Sequence, residues 1–298
     1  MLNGAVASSV HDKVLLIRAD PQFAALDHEA RTLLAQFGRF QHFEPGDTIF
    51  HAGRACEDVH TLFRGEVEIR RHGAPPRKVV APAGLGWPSL VCSLPTDEIV
   101  ALTPADSLSY NAAILLDLFE LNFSLVRNGL RLVSGFILDD LDGLPTTPGI
   151  EAPALGAYPT RDATFVETML EIRDQTLFEK ANFEAVAEIA RAVEEVRFEK
   201  GATLWEPGDS GTYGLRLRYG NVRCTAPDGR HVTVGRGFNI GVLDSMAHRA
   251  RAYAAVCETD VVAQRTDMDS FFSILEDHFD LAMSGLALLT QRLYYEHT

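Results

Sequence analysis

Along Val67-Glu68-Ile69-Arg70, apolar and polar residues alternate, as in a strand with one face in a core. Val222–Thr225 and His231–Val234 flank Pro227-Asp228-Gly229, which predicts two strands joined by a hairpin turn. Elsewhere the period is helical. Ala30, Leu33, Leu34 and Phe37 share one face behind Asp27, a suitable N-cap, and Val186, Ile189, Ala190 and Val193 do the same from about Asn182. Two longer helical patterns run over about Leu116–Leu138 and Ser270–Tyr295. Between them, Gly143–Pro159 carries Pro145, Pro148, Pro153 and Pro159 and reads as a linker or extended loop.

These elements occur twice. Gly46, Gly53, Gly65 and Gly86 return as Gly201, Gly208, Gly220 and Gly241, an interval of 155 residues in every case. At the same interval Phe23 meets Phe178, Phe43 meets Phe198, Thr48 meets Thr203, Leu62 meets Leu217 and Val67 meets Val222. A constant interval across glycines and core positions marks an internal repeat. Short glycine-punctuated strands between helices predict a mainly β fold: two jelly-roll β-rolls in tandem, each with an N-terminal helix and a long C-terminal one. The expected limits are 21–139 for the first domain, 140–160 for the linker and 161–298 for the second.

Composition narrows the partners. The chain has 298 residues and a formal net charge of -14, which repels phosphate backbones and anionic lipid, so DNA and membranes are not expected partners. The most apolar stretch, Ile114–Leu138, is broken by Asp117, Glu120, Arg127 and Arg131 and reads as an amphipathic helix. Cys56, Cys92, Cys224 and Cys257 form no CxxC pair; with no signal peptide evident they read as reduced thiols of a cytoplasmic protein. His60 and His72 lack the histidine and glutamate spacing of a cupin metal site, and no catalytic triad or glycine-rich nucleotide loop stands out. No metal, no cofactor and no enzymatic activity are expected.

Phe43-Glu44-Pro45-Gly46-Asp47-Thr48-Ile49-Phe50 and His60-Thr61-Leu62-Phe63-Arg64-Gly65-Glu66-Val67, with their second copies over Phe198–Trp205 and Leu217–Val222, resemble the first strands of cyclic-nucleotide-binding domains. Such domains occur in catabolite-activator-type regulators and in regulatory subunits of protein kinase A. The resemblance spans about Pro21–Leu138 and Thr176–Tyr295. It implies a phosphate-binding cassette after Gly86 and after Gly241, where a short helix offers N–H groups, an arginine adds a charged bond and a glutamate accepts from the ribose. Both cassettes depart from that pattern. Trp87 follows Gly86, Pro88 removes an N–H, Ser89 lies in the same turn, and Pro95 falls near the arginine place. In the second copy Val242 follows Gly241, Arg251 falls at the arginine place, and Ala252 and Tyr253 lead to Ala254 where a hydroxyl is usual. A hydrogen bond to a charged group is worth about 1.5–3 kcal/mol, so each such loss weakens a nucleotide site by one to two decades.

Two functions are consistent with these residues. The first is a non-catalytic regulatory or scaffold protein acting through protein partners or self-association. Leu125, Leu132 and Phe136 in the first closing helix and Leu286, Leu289 and Leu293 in the second are the candidate interface. The alternative is a sensor that binds a cyclic nucleotide or cyclic dinucleotide at the second copy through Gly241, Val242, Arg251, Ala252 and Tyr253. Gly86, Trp87 and Ser89 mark the degenerate first cassette. For Arg251, with Asp244 and Glu258 near in sequence, a surface ion pair is the competing role. For Trp87 and Val242 it is cavity filling.

Overall fold

The computed structural model describes residues 9–146, 155–179 and 181–295. Residues 147–154 of the expected linker lie outside the described residues. Two compact units emerge: residues up to Gly129 together with those from Leu286 onward, and Leu130–Gly285.

In the first unit, α1 (Val10–Ala19) and α2 (His28–Phe37) precede eight strands. Asp27 caps α2 as expected, its carboxylate accepting from the Ala30 N–H at 2.8 Å. The strands are β1 (Arg39–Phe43), β2 (Thr48–Phe50), β3 (Asp58–Arg64), β4 (Glu66–Arg70), β5 (Arg77–Val80), β6 (Ala83–Leu85), β7 (Glu98–Ala101) and β8 (Ala105–Asn111), with the short α3 (Trp87–Val91) between β6 and β7. They form two antiparallel sheets in the orders β1-β8-β3-β6 and β2-β7-β4-β5. The alternating Val67–Arg70 segment is β4, and Val67 is fully buried in the roll with Phe50, Leu62, Leu85 and Ile99.

The second unit repeats this plan. After α6 (Phe165–Arg173) and α7 (Phe183–Ala192) come β9 (Glu194–Phe198), β10 (Thr203–Trp205), β11 (Tyr213–Tyr219), β12 (Val222–Thr225), β13 (His231–Val234), β14 (Asn239–Ile240), α8 (Val242–Met246), β15 (Ala254–Cys257) and β16 (Val261–Asp267). The sheet orders, β14-β11-β16-β9 and β10-β15-β12-β13, reproduce those of the first roll strand for strand. β12 and β13 pair across the turn containing Pro227-Asp228-Gly229. This strand order is that of a jelly roll.

Gly65 and Gly220 show why glycines carry the repeat. Both have positive φ, 98° and 91°, and a Cβ at Gly65 would sit 2.7 Å from the Pro104 carbonyl oxygen. At Gly220 it would collide with the Asp260 carbonyl oxygen. No other residue fits this turn.

The long closing helices differ from the expectation of one continuous helix per copy. The first is α4 (Ala112–Leu121) followed by α5 (Phe123–Asp140), and the second is α9 (Met268–Asp277) followed by α10 (Phe279–Tyr295). Asn122 leaves the helical region (φ -140°, ψ 94°), and its side chain accepts from the Ser124 N–H at 3.0 Å. Asparagine gains more from such a local bond than from helix interior, so it divides an otherwise continuous apolar pattern. The boundary between the units falls within α5 and within α10.

Candidate functional site

Gly86 and Gly241 each hold a left-handed backbone (φ 80° and 69°) and start α3 and α8, so both rolls carry the short helix at the cassette position. Hydrogen-bond register matches the rest. Gly208 donates to the Arg251 carbonyl and Gly53 to that of Thr96, each at 2.9 Å, so Thr96 rather than its neighbour Pro95 occupies the place of Arg251. One residue later the interval lengthens by one: Gly201 donates to Cys257 where Gly46 donates to Ala101. The extra residue falls between Arg251 and Ala254; Asp97 borders the interior of its roll as Tyr253 does, so it takes the place of Tyr253 and leaves Ala252 as the extra residue.

In the second roll the arginine is spent internally. Arg251 is not a surface group; its side chain is fully buried. Nη1 donates to the Gly241 carbonyl at 2.6 Å and to Ser245 Oγ at 3.2 Å, and Nη2 donates to the Tyr213 carbonyl at 2.5 Å. The guanidinium lies 4.2 Å from the Trp205 ring centroid and 5.0 Å from that of Tyr213. The carboxylate of Asp244 is 3.7 Å away, and burial pushes its pKa up against the pull of Arg251. Tyr253, fully buried, accepts the Gly241 N–H at 2.9 Å through its hydroxyl. A Cβ on Gly241 would clash with the guanidinium, so the glycine is also required by the arginine's packing. Val242 turns away from this group and lies against Gly214, while Ala252 faces Gly143. Leu144 is buried in the same core as Trp205 and Tyr253. Gly241, Arg251 and Tyr253 thus converge; Val242 and Ala252 point elsewhere. Trp205, Tyr213 and Ser245 complete the cluster without having been singled out in sequence, because their partners are brought in by other strands.

The first roll is open where the second is filled. Phe50, Thr96 and Asp97 stand in place of Trp205, Arg251 and Tyr253, and these side chains border a cavity of about 620 Å³. Its apolar floor includes Ile69, Leu85 and Ile99, and its cassette edge runs from Gly86 to Pro88 and Ser89. Trp87 does not fill this cavity. Its indole packs against Gly84 and stacks on Phe119, with ring centroids 6.1 Å apart. Within the same unit, Leu293 and Tyr294 of α10 border the cavity, and Arg71 donates to the Tyr294 carbonyl at 2.7 Å. Of the candidate interface residues, Leu125 and Leu286 are buried, Leu132, Leu289 and Leu293 half-buried, and Phe136 exposed.

His60 lies in the core of the first roll between the rings of Phe43 and Phe50, and its Nδ1 is 3.0 Å from Ser107 Oγ. Among the described residues no group of three or more His, Cys, Asp or Glu side chains is placed to hold a metal ion. Among the same residues no helix is long and apolar enough to cross a membrane.

No family model matches the chain. Solved structures similar to it include the regulatory subunit of a cAMP-independent protein kinase A from Trypanosoma brucei, at 17% identity, with 95% of this chain and 88% of that one covered and a TM-score of 0.39. The corresponding subunit from Trypanosoma cruzi, bound to guanosine, has 14% identity, 94% and 85% coverage and a TM-score of 0.37. The N-terminal domain of a transcriptional regulator from Streptomyces coelicolor is 26% identical over 41% of this chain and 91% of its own, with a TM-score of 0.37. The identification of the fold rests on strand order and on the glycine-led helix after the sixth strand: the chain is a tandem of two cyclic-nucleotide-binding-type jelly rolls, each with flanking helices.

Proposed function

We propose that this chain is a non-catalytic regulatory protein whose tandem modules act through protein contacts, the second module being a closed copy of a ligand-binding roll. Under this reading 21–139 and 161–298 are the modules and 140–160 joins them. The observation that carries the proposal is the use of Arg251: both terminal nitrogens are bonded to groups of its own module, and two aromatic rings cover it. An incoming phosphate would have to replace the bonds to Gly241 and Tyr213 and displace Trp205. Each bond to the guanidinium is worth about 1.5–3 kcal/mol, so most of the gain from a new ion pair is offset. The sensor alternative at the second module requires this rearrangement.

Isothermal calorimetry with cyclic AMP, and with a cyclic dinucleotide, separates the two readings. The expected result is no saturable heat from either at the second module. Submicromolar binding that disappears in Arg251→Glu while the second module keeps its melting transition would instead establish a sensor working through that arginine.

Protein contact is supported by exposed apolar side chains. In the second unit Val166, Leu170 and Phe183 are 63%, 64% and 69% exposed, and Phe136 is 41% exposed. If the closing helices mediate self-association, Phe136→Ser is expected to shift the mass measured by light scattering toward the monomer at unchanged melting temperature. A wild-type chain that stays monomeric at every concentration would remove self-association from the proposal and leave contact with other proteins.

A further inference from the structure

The cavity of the first roll is within the size range of small-molecule sites, which run from about 300 to 1,000 Å³. Its walls are chemically divided. The floor is apolar, formed by Phe50, Ile69, Leu85 and Ile99. The hydroxyls at its cassette edge already face backbone: Ser89 Oγ donates to the Pro95 carbonyl at 3.2 Å, and Thr96 Oγ1 lies 2.7 Å from the His51 carbonyl oxygen. The cationic groups lie where β4 ends and β5 begins. Arg71, Arg77 and Lys78 line the cavity there, against one carboxylate among the described lining residues, Asp97, which Arg71 engages at 3.0 Å. Lys78 is paired with Glu66. Arg77 lies over the Tyr294 ring at 5.7 Å from its centroid, a contact that leaves its guanidinium donors to other acceptors.

We propose that this cavity binds a small organic anion with an apolar body, the body resting on the Phe50–Ile69–Ile99 floor and the anionic group held by Arg77 at the wall formed by β4, β5 and their loop, beneath Tyr294. The polarity is the reverse of what a phosphate held at the cassette requires. At that edge Thr96 replaces the arginine and Pro88 lacks an N–H. Trp87, facing Phe119, offers no acceptor for a ribose hydroxyl. A carboxylate or sulfonate on an aromatic or branched hydrocarbon meets both walls. Such a ligand goes beyond the protein-contact reading, which needs none.

The probe is anilinonaphthalene sulfonate, whose emission rises in an apolar site, titrated against the full chain alongside its uncharged counterpart phenylnaphthylamine. One saturable equivalent of each is expected. Arg77→Glu, at an exposed position, should weaken the sulfonate at least tenfold and leave the neutral amine within twofold. Ile69→Trp should abolish both by filling the floor. Ala74→Trp fills the same space from the loop and keeps the test available if Ile69→Trp does not fold. Sulfonate binding that survives both tryptophan variants, or an equal response of the two probes to Arg77→Glu, overturns the proposal. So does displacement of the sulfonate by cyclic AMP that is undiminished in Arg77→Glu, which would return the charge site to the cassette. Absence of binding by either probe also overturns it, and leaves the protein-contact reading untouched.

Discussion

Arg251→Ala should unfold the second module far more easily than the wild type, by about 3–5 kcal/mol, the range for removing one partner of a buried charged network. Three losses add. The carbonyls of Gly241 and Tyr213 lose their donor in a dry interior. Asp244, already pushed toward its neutral form by burial, loses its nearby cation. The space beneath Trp205 and Tyr213 is left empty. For a unit of this size about 1 kcal/mol corresponds to a shift of roughly 2–4 °C, so the calorimetric transition of the second module should fall by about 10 °C. The transition of the first module should not move. Arg251→Lys should lie between, since an ammonium cannot serve two carbonyls and two rings as a planar fork does. An alanine variant as stable as the wild type would mean that the arginine is not a strut, and the case for a closed second module would fail with it.

Mild acid should weaken the first module selectively through His60. The ring is buried between Phe43 and Phe50, and burial lowers its pKa to about 4. An unfolded histidine titrates near 6.5. Between those values the unfolded chain takes up a proton that the folded roll excludes, so stability is lost as pH falls through this window and is complete above it. At about 1.4 kcal/mol for each pH unit, the loss reaches roughly 3 kcal/mol near pH 4. His42 acts in the opposite sense, because its bond to Asp106 raises its pKa and its contribution grows on acidification. It is solvent-exposed, so its effect is the smaller. The comparison is the urea midpoint of the first module at pH 7 and pH 5 in wild type and in His60→Gln, which retains a polar group near Ser107. A variant with the same acid dependence as the wild type would assign the effect to other groups.

Much of the fold was legible along the chain because it depends on local chemistry. Gly65 and Gly220 were found by spacing because only glycine tolerates the approach of the Pro104 and Asp260 carbonyls. Asp27 and Asn182 were readable as helix starts because an N-cap bonds within three residues. The hairpin at Pro227-Asp228-Gly229 followed from its turn residues and flanking β pattern. The closing helices were readable in extent and not in continuity: the apolar period runs through Asn122 and His278, where the backbone breaks.

The candidate site divides differently. The repeated glycines and the family resemblance pointed to a cassette position after Gly86 and after Gly241, and neither position keeps the glutamate, since an absent residue type needs no coordinates. It did not show which roll is open. Arg251 faces inward because Tyr213, 38 residues earlier, supplies an acceptor and Trp205 a ring face, and those partners are brought to the cassette by the pairing of β10 with β15 and of β11 with β14, between strands distant in sequence. The first roll stays hollow because Phe50, Thr96 and Asp97 stand where Trp205, Arg251 and Tyr253 fill the second. That correspondence needs the hydrogen-bond register, which lengthens by one residue after Arg251. Periodicity and turn chemistry are properties of neighbouring residues and survive in one dimension; whether a cavity is filled is a sum of side-chain volumes from distant strands, and only their packing in three dimensions decides it.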